Sequence, residues 1–156
     1  MNPMRRTFLK GTGAAGTVAV AIAAGLLKPS EVLAAEWPKA SFESKNVPDA
    51  LKGVGASAPV ESKDILIKAP DIAENGAVVP VEVTSKVPGT ESIIILVEKN
   101  NNPMVASFNL SNGTEGYVST RIKMAQTSGV RVAVKAGGKT YTAAKEVKVT
   151  IGGCGG

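Results

Sequence analysis

Two stretches of this chain alternate apolar and polar residues, and that period of two confines them to β-structure. Val79, Val81 and Val83 alternate with Pro80, Glu82 and Thr84, and Val118, Thr120, Ile122 and Met124 alternate with Ser119, Arg121 and Lys123. Successive side chains of a strand point to opposite faces, so each stretch has one face for a core and one for solvent. Val130, Val132 and Val134 repeat the pattern, and Val147, Val149 and Ile151 end it. Residues 65–68 and 104–110 read as further strands. Residues 93–97, Ile-Ile-Ile-Leu-Val, are apolar throughout and should be covered on both faces, by the core on one side and by something else on the other. Turn signals separate these runs: Asn100-Asn101-Asn102-Pro103, the loop 111–116, and Gly137-Gly138, placed as a two-residue hairpin with positive φ. Pro80 puts its strand at a sheet edge or beside a bulge, because proline cannot donate to the ladder. About seven short strands with turns between them predict an all-β sandwich over residues 63–151. Ile65, Val81, Val83, Ile94, Val118, Ile122, Val132, Val147 and Val149 are its expected buried residues.

Ahead of the sandwich, residues 35–62 read as an N-terminal arm. Asn46 is placed to cap a short helix that Gly53 would stop. Residues 1–34 read as a leader. Arg5 and Arg6 form a twin-arginine pair, residues 11–27 are uncharged and only mildly apolar, and Val32-Leu33-Ala34-Ala35 offers the small residues of a cleavage site. The pattern resembles a Tat signal peptide, which is an address read by a receptor and not an anchor. A membrane span needs about 20 strongly apolar residues, so the expectation is export to a periplasm, with no membrane attachment after cleavage. Met4 stands where such leaders usually carry Ser or Thr.

Composition narrows the function. The formal charge of +5 shrinks to +2 once the leader is removed, and aromatic residues make up 4% of the chain, so there is no basic, aromatic-lined surface for nucleic acid. Histidine is absent, which removes the commonest general base and metal ligand. No metal or cofactor is expected. The carboxylates are scattered over predicted strand faces and loops as solvated surface charge. Gly11-Thr12-Gly13-Ala14-Ala15-Gly16 matches a dinucleotide-binding fingerprint, but it follows no strand and falls in the leader.

One feature remains. Cys154 is the only thiol, and it sits in Gly152-Gly153-Cys154-Gly155-Gly156 at the end of the sequence. A lone Cys is usually a small buried hydrophobe. Four flanking glycines supply no side chains to pack, and they read as a flexible tract. From Ile151 to Cys154 such an arm reaches about 10 Å when extended. A thiolate forms and breaks S–S bonds readily. A Cys on a thin arm can therefore be loaded in one active site and unloaded in another, as a covalent carrier and not an enzyme. The alternatives are an exported adaptor that uses Cys154 for an intermolecular disulfide, and a thiol sulfurtransferase. No Lys, Arg or His flanks the sulfur to activate it.

The C-terminal Val147-Lys148-Val149-Thr150-Ile151-Gly152-Gly153-Cys154-Gly155-Gly156 resembles the tail of the SoxY family, carriers of the sulfur-oxidising Sox system. Asn75-Gly76-Ala77-Val78-Val79-Pro80-Val81 and Ser119-Thr120-Arg121-Ile122-Lys123-Met124 are similar to that family as well. The resemblance implies an immunoglobulin-like sandwich in the periplasm, paired with the β-sandwich subunit SoxZ. It implies that the cytochrome enzyme SoxAX joins thiosulfate oxidatively to the tail Cys. SoxB, a manganese-dependent hydrolase, would then release sulfate, and SoxCD in some organisms would oxidise the sulfane sulfur that stays behind. It maps Cys154 as the attachment point for inorganic sulfur species and Gly152, Gly153, Gly155 and Gly156 as the flexible tract. The 93–97 run gives a separate reason to expect a covering partner.

Overall fold

The computed structural model describes residues 38–111 and 113–153. Residues 1–34, read from the sequence as a leader with Arg5 and Arg6, and Cys154, Gly155 and Gly156, lie outside the described residues. Among those described, two short helices precede nine strands: α1 Lys39–Glu43, α2 Val47–Gly53, β1 Val60–Glu61, β2 Ile65–Lys68, β3 Ile72–Asn75, β4 Val79–Ser85, β5 Thr90–Val97, β6 Met104–Asn109, β7 Tyr117–Ile122, β8 Ser128–Ala136 and β9 Lys139–Ile151. Two sheets face each other. The larger runs β1-β9-β8-β5-β6, with β3 also paired to β9, and the smaller runs β2-β4-β7. This is an all-β sandwich with a short helical arm.

The alternating stretches do what their period requires. Val79, Val81 and Val83 of β4 and Val118 and Ile122 of β7 point inward from the small sheet and meet Ile93, Ile95, Val130, Val132, Val134 and Val147 of the large one. Eight of the nine residues expected in the core are buried; Val149, near the end of β9, is partly buried. Gly137 and Gly138 make the β8–β9 hairpin with φ of 55° and 73°, a turn that side chains with a Cβ rarely adopt.

Three details depart from the sequence reading. First, β1 and β3 were not foreseen, and both pair parallel to β9, Val60 opposite Tyr141 and Ile72 opposite Lys148. Second, Pro80 lies on the central strand of the small sheet, not at an edge. Ser85 N–H donates to the Gly116 carbonyl and Lys86 N–H to that of Asp64. Even-numbered backbone groups of β4 therefore face β2, and β2 ends at Lys68 opposite Glu82. The missing N–H of Pro80 points to where no strand would accept it. Third, helix α2 runs through Gly53 and turns out at Gly55, whose φ is 67°. Gly53 is needed for a different reason: a Cβ there would run into the Ser41 side chain of α1. Asn46 caps α2 as expected, accepting the Asp49 N–H at 2.9 Å.

The 93–97 run is covered on both faces, and its outer cover is the chain's own arm. Ile94, Leu96, Met104 and Ala133 pack under Ala50, Leu51 and Ala56, with Phe42, Val47 and Val54 beside them. Burial on both sides explains why β5 does not alternate. The run is therefore no sign of a partner.

Candidate functional site: the root of the C-terminal tail

β9 is the longest strand, and it delivers the C-terminal motif. Beyond β8's reach its last residues are held by β3 on one side, with Asn75 opposite Ile151. On the other side the Thr127 hydroxyl accepts the Val149 N–H at 2.9 Å. The chain then enters a junction of three segments. Gly76 N–H donates to the Ile151 carbonyl at 2.8 Å, Met124 N–H to the Gly76 carbonyl at 2.7 Å, and Gly153 N–H to the Met124 carbonyl at 2.9 Å. The Asn75 side chain shapes the Gly76 turn by accepting the Ala77 N–H at 2.8 Å.

Glycine is required here for closeness. A Cβ on Gly153 would lie 2.7 Å from the Ala77 nitrogen and from the Gly76 carbonyl carbon; one on Gly152 would overlap the Ala125 carbonyl; one on Gly76 would overlap the Met124 carbonyl. Gly153 is buried. The expectation that Gly152 and Gly153 form a flexible tract is thus corrected. Their missing side chains admit two backbones at short range, and the arm as read from sequence loses its first two residues. Cys154, Gly155 and Gly156 lie outside the described residues, so Cys154 is located only as the residue that follows Gly153.

The neighbours of the tail carry their own sense. Gly76 comes from the Asn75 to Val81 stretch and Met124 from the Ser119 to Met124 stretch, the two internal segments that resemble the SoxY family. Both meet the tail. Sequence reasoning missed Asn100 and Thr127, which support the junction; a polar residue in a turn cluster looks like any other until its partners are known. Exposed Lys99, Lys123 and Lys148 lie on the converging segments, against Glu74 on β3. Among the described residues, no group of three or more Cys, Asp or Glu side chains could hold a metal ion, and no helix is long and apolar enough to cross a membrane.

The close approach at Gly76 makes a prediction. Gly76→Ala forces its methyl into the Met124 carbonyl and within 2.9 Å of Val149 Cγ1. Overpacking of this kind costs about 1–3 kcal/mol. A urea unfolding curve reads it; a midpoint equal to that of the unmodified protein would show that the junction yields without strain.

Comparison with known proteins agrees with this architecture. Residues 51–154 match the family model described as sulfur oxidation protein SoxY, a match that spans the sandwich and ends on Cys154. Among solved structures, the chain is similar to the sulfur carrier protein SoxY from Chlorobium limicola f thiosulfatophilum. The two share 50% identity and a TM-score of 0.60, over 66% of this chain and 94% of that one. No curated protein matches.

Proposed function

The chain belongs to the SoxY family of sulfur carriers, and from that premise we propose that it holds sulfur covalently on Cys154 and presents it to periplasmic enzymes. The observation that carries this reading is the position of the thiol. Cys154 is the only Cys, it ends the family match, and it directly follows Gly153, whose N–H is bound to the Met124 carbonyl.

The chemistry balances with an oxidant. The Cys154 thiol and thiosulfate join through a new S–S bond, and one proton and two electrons leave. A cytochrome enzyme of the SoxAX type accepts the electrons. Hydrolysis then breaks the bond between the outer sulfur and the sulfonate group: water supplies the fourth oxygen of sulfate, one of its protons goes to the persulfide that stays on Cys154, and the other is released. A SoxB-type hydrolase suits that step, and a SoxCD-type dehydrogenase would oxidise what remains. The loaded arm is anionic, and the lysines around its root suit that charge. A SoxZ-like subunit is the proposed stable partner. Export by the Tat pathway, with cleavage near Ala34 or Ala35, would place the chain among these enzymes.

One measurement tests the proposal. We expect an intact-mass spectrum of protein from the host's periplasm to show a start near Ala35 or Glu36, and a thiosulfonate or sulfane adduct on Cys154 after thiosulfate is supplied. A plain protein disulfide as the sole modification would overturn the carrier reading in favour of an adaptor. An intact Met1 end would overturn export.

A further inference from the structure

We propose that Asn100 is a positioning residue for the carrier arm: it pins the turn whose carbonyl holds Gly153, so that the arm pivots next to the thiol and not at the end of β9. Asn100 sits in the loop between β5 and β6 and is 5% exposed. Its amide is used at both ends. Nδ2 donates to the Lys123 carbonyl at 2.9 Å, and Oδ1 accepts the Ala125 N–H at 3.0 Å. Between those two residues lies Met124, whose N–H is bound to Gly76 and whose carbonyl receives Gly153.

An Asn side chain carries the same donor and acceptor as a peptide unit. Placed beside residues 123–125, it acts as one rung of a strand where β7 has already ended at Ile122. Without it, the Lys123 carbonyl and Ala125 N–H would lose their partner, and the turn could slide or open. Asn100 is itself anchored, its N–H donating to the Val97 carbonyl at the end of β5 at 3.2 Å. The same loop is also tied to the helical arm, where Asn102 Nδ2 donates to the Phe42 carbonyl at 2.9 Å. The root of the tail is therefore referenced to β5, the strand with the most deeply buried side chains.

The consequence for the carrier is one of reach, and this part rests on the function proposed above. Consecutive Cα atoms are about 3.8 Å apart, so a pivot at Gly153 confines the Cys154 Cα to that radius, against about 10 Å for an arm free from Ile151 onward. A receiving enzyme must then come close to the junction itself. The thiol is offered within a small volume, which reduces the entropy lost when it is positioned for reaction.

The test compares the full mature chain with Asn100→Ala. Hydrogen exchange of the Gly153 amide should be slow in the unmodified protein and roughly tenfold or more faster in the variant, as expected when a buried hydrogen-bonded rung is lost. Exchange at Val132 and Val134 should stay slow. A nitroxide on Cys154 should become more mobile. Asn100→Asp keeps an acceptor for Ala125 but sets a buried carboxylate oxygen against the Lys123 carbonyl, and should free the Gly153 amide at least as much as Asn100→Ala. Loading from thiosulfate by periplasmic extract should slow in Asn100→Ala while iodoacetamide labelling of Cys154 is unchanged. Several results would overturn the proposal: fast Gly153 exchange in the unmodified protein, no change in the variant, an equal loss of protection across β8, or loading at the original rate despite a freed arm. If the unmodified protein takes up no sulfur at all, the carrier function fails, and the exchange and nitroxide measurements still decide whether Asn100 holds the tail.

Discussion

Cys154→Ser is expected to abolish sulfur loading completely and to leave the fold untouched. The exchange of one atom removes the only thiol in the chain. A hydroxyl is far less acidic than a thiol and cannot form the S–S bond on which the adduct depends. No second Cys can substitute. The fold should not notice, because the described contact that docks the tail is made by backbone, from Gly153 N–H to the Met124 carbonyl, and the substitution changes no backbone group. A substitution away from packed or strained features usually shifts stability by less than about 0.5 kcal/mol. The intact mass after thiosulfate and periplasmic extract should show the adduct on the unmodified protein and none on the variant, with matching thermal melts. An adduct on the variant would move the attachment point to another residue. A fall of many degrees in melting temperature would show that Cys154 supports the fold, and the carrier reading would lose its main ground.

The fold was legible where the sequence repeats itself. Period two announced β4, β7 and β8, and the Gly137-Gly138 pair announced their hairpin to β9, because both signals are local. β3 was not legible. Four residues after a proline carry no periodicity, and their partner is β9, which comes more than seventy positions later. Pro80 misled for a related reason: whether its absent N–H matters depends on where β2 stops, and that is set by another segment. The tail was half legible. Glycine serves both for freedom and for thinness, and the sequence writes the two alike. Only the Gly76 turn and the Ala125 carbonyl, brought within van der Waals distance, show that Gly152 and Gly153 serve for thinness. Asn100 illustrates the same limit, since its role lies in two backbone groups more than twenty residues away.

Leu51→Asp is expected to lift the helical arm and expose the outer face of the large sheet. Leu51 is 4% exposed and packs with Ala50 and Ala56 over Ile94, Leu96, Met104 and Ala133. Removing its apolar volume alone would cost about 2–5 kcal/mol. A carboxylate in its place adds the cost of burying a charge with no partner, which the chain can avoid only by letting α2 go. The polar side-chain ties between the helical arm and the body are too few to hold it: Lys135 Nζ to the Val54 carbonyl at 3.0 Å, Lys45 Nζ to Asn102 Oδ1 at 3.2 Å, and Asn102 Nδ2 to the Phe42 carbonyl at 2.9 Å. A released arm uncovers a contiguous apolar patch on β5, β6 and β8, and such patches drive association. The variant should therefore unfold at lower urea, lose residues 38–56 to protease first, and sediment as larger species with rising concentration. Leu51→Ala should lose stability but remain monomeric under the conditions in which the unmodified protein is monomeric. If Leu51→Asp instead kept its urea midpoint and its sedimentation, the arm would not be what seals β5. The apolar run 93–97 would then again need a second chain to cover it, and the intramolecular cover described here would be incidental to stability.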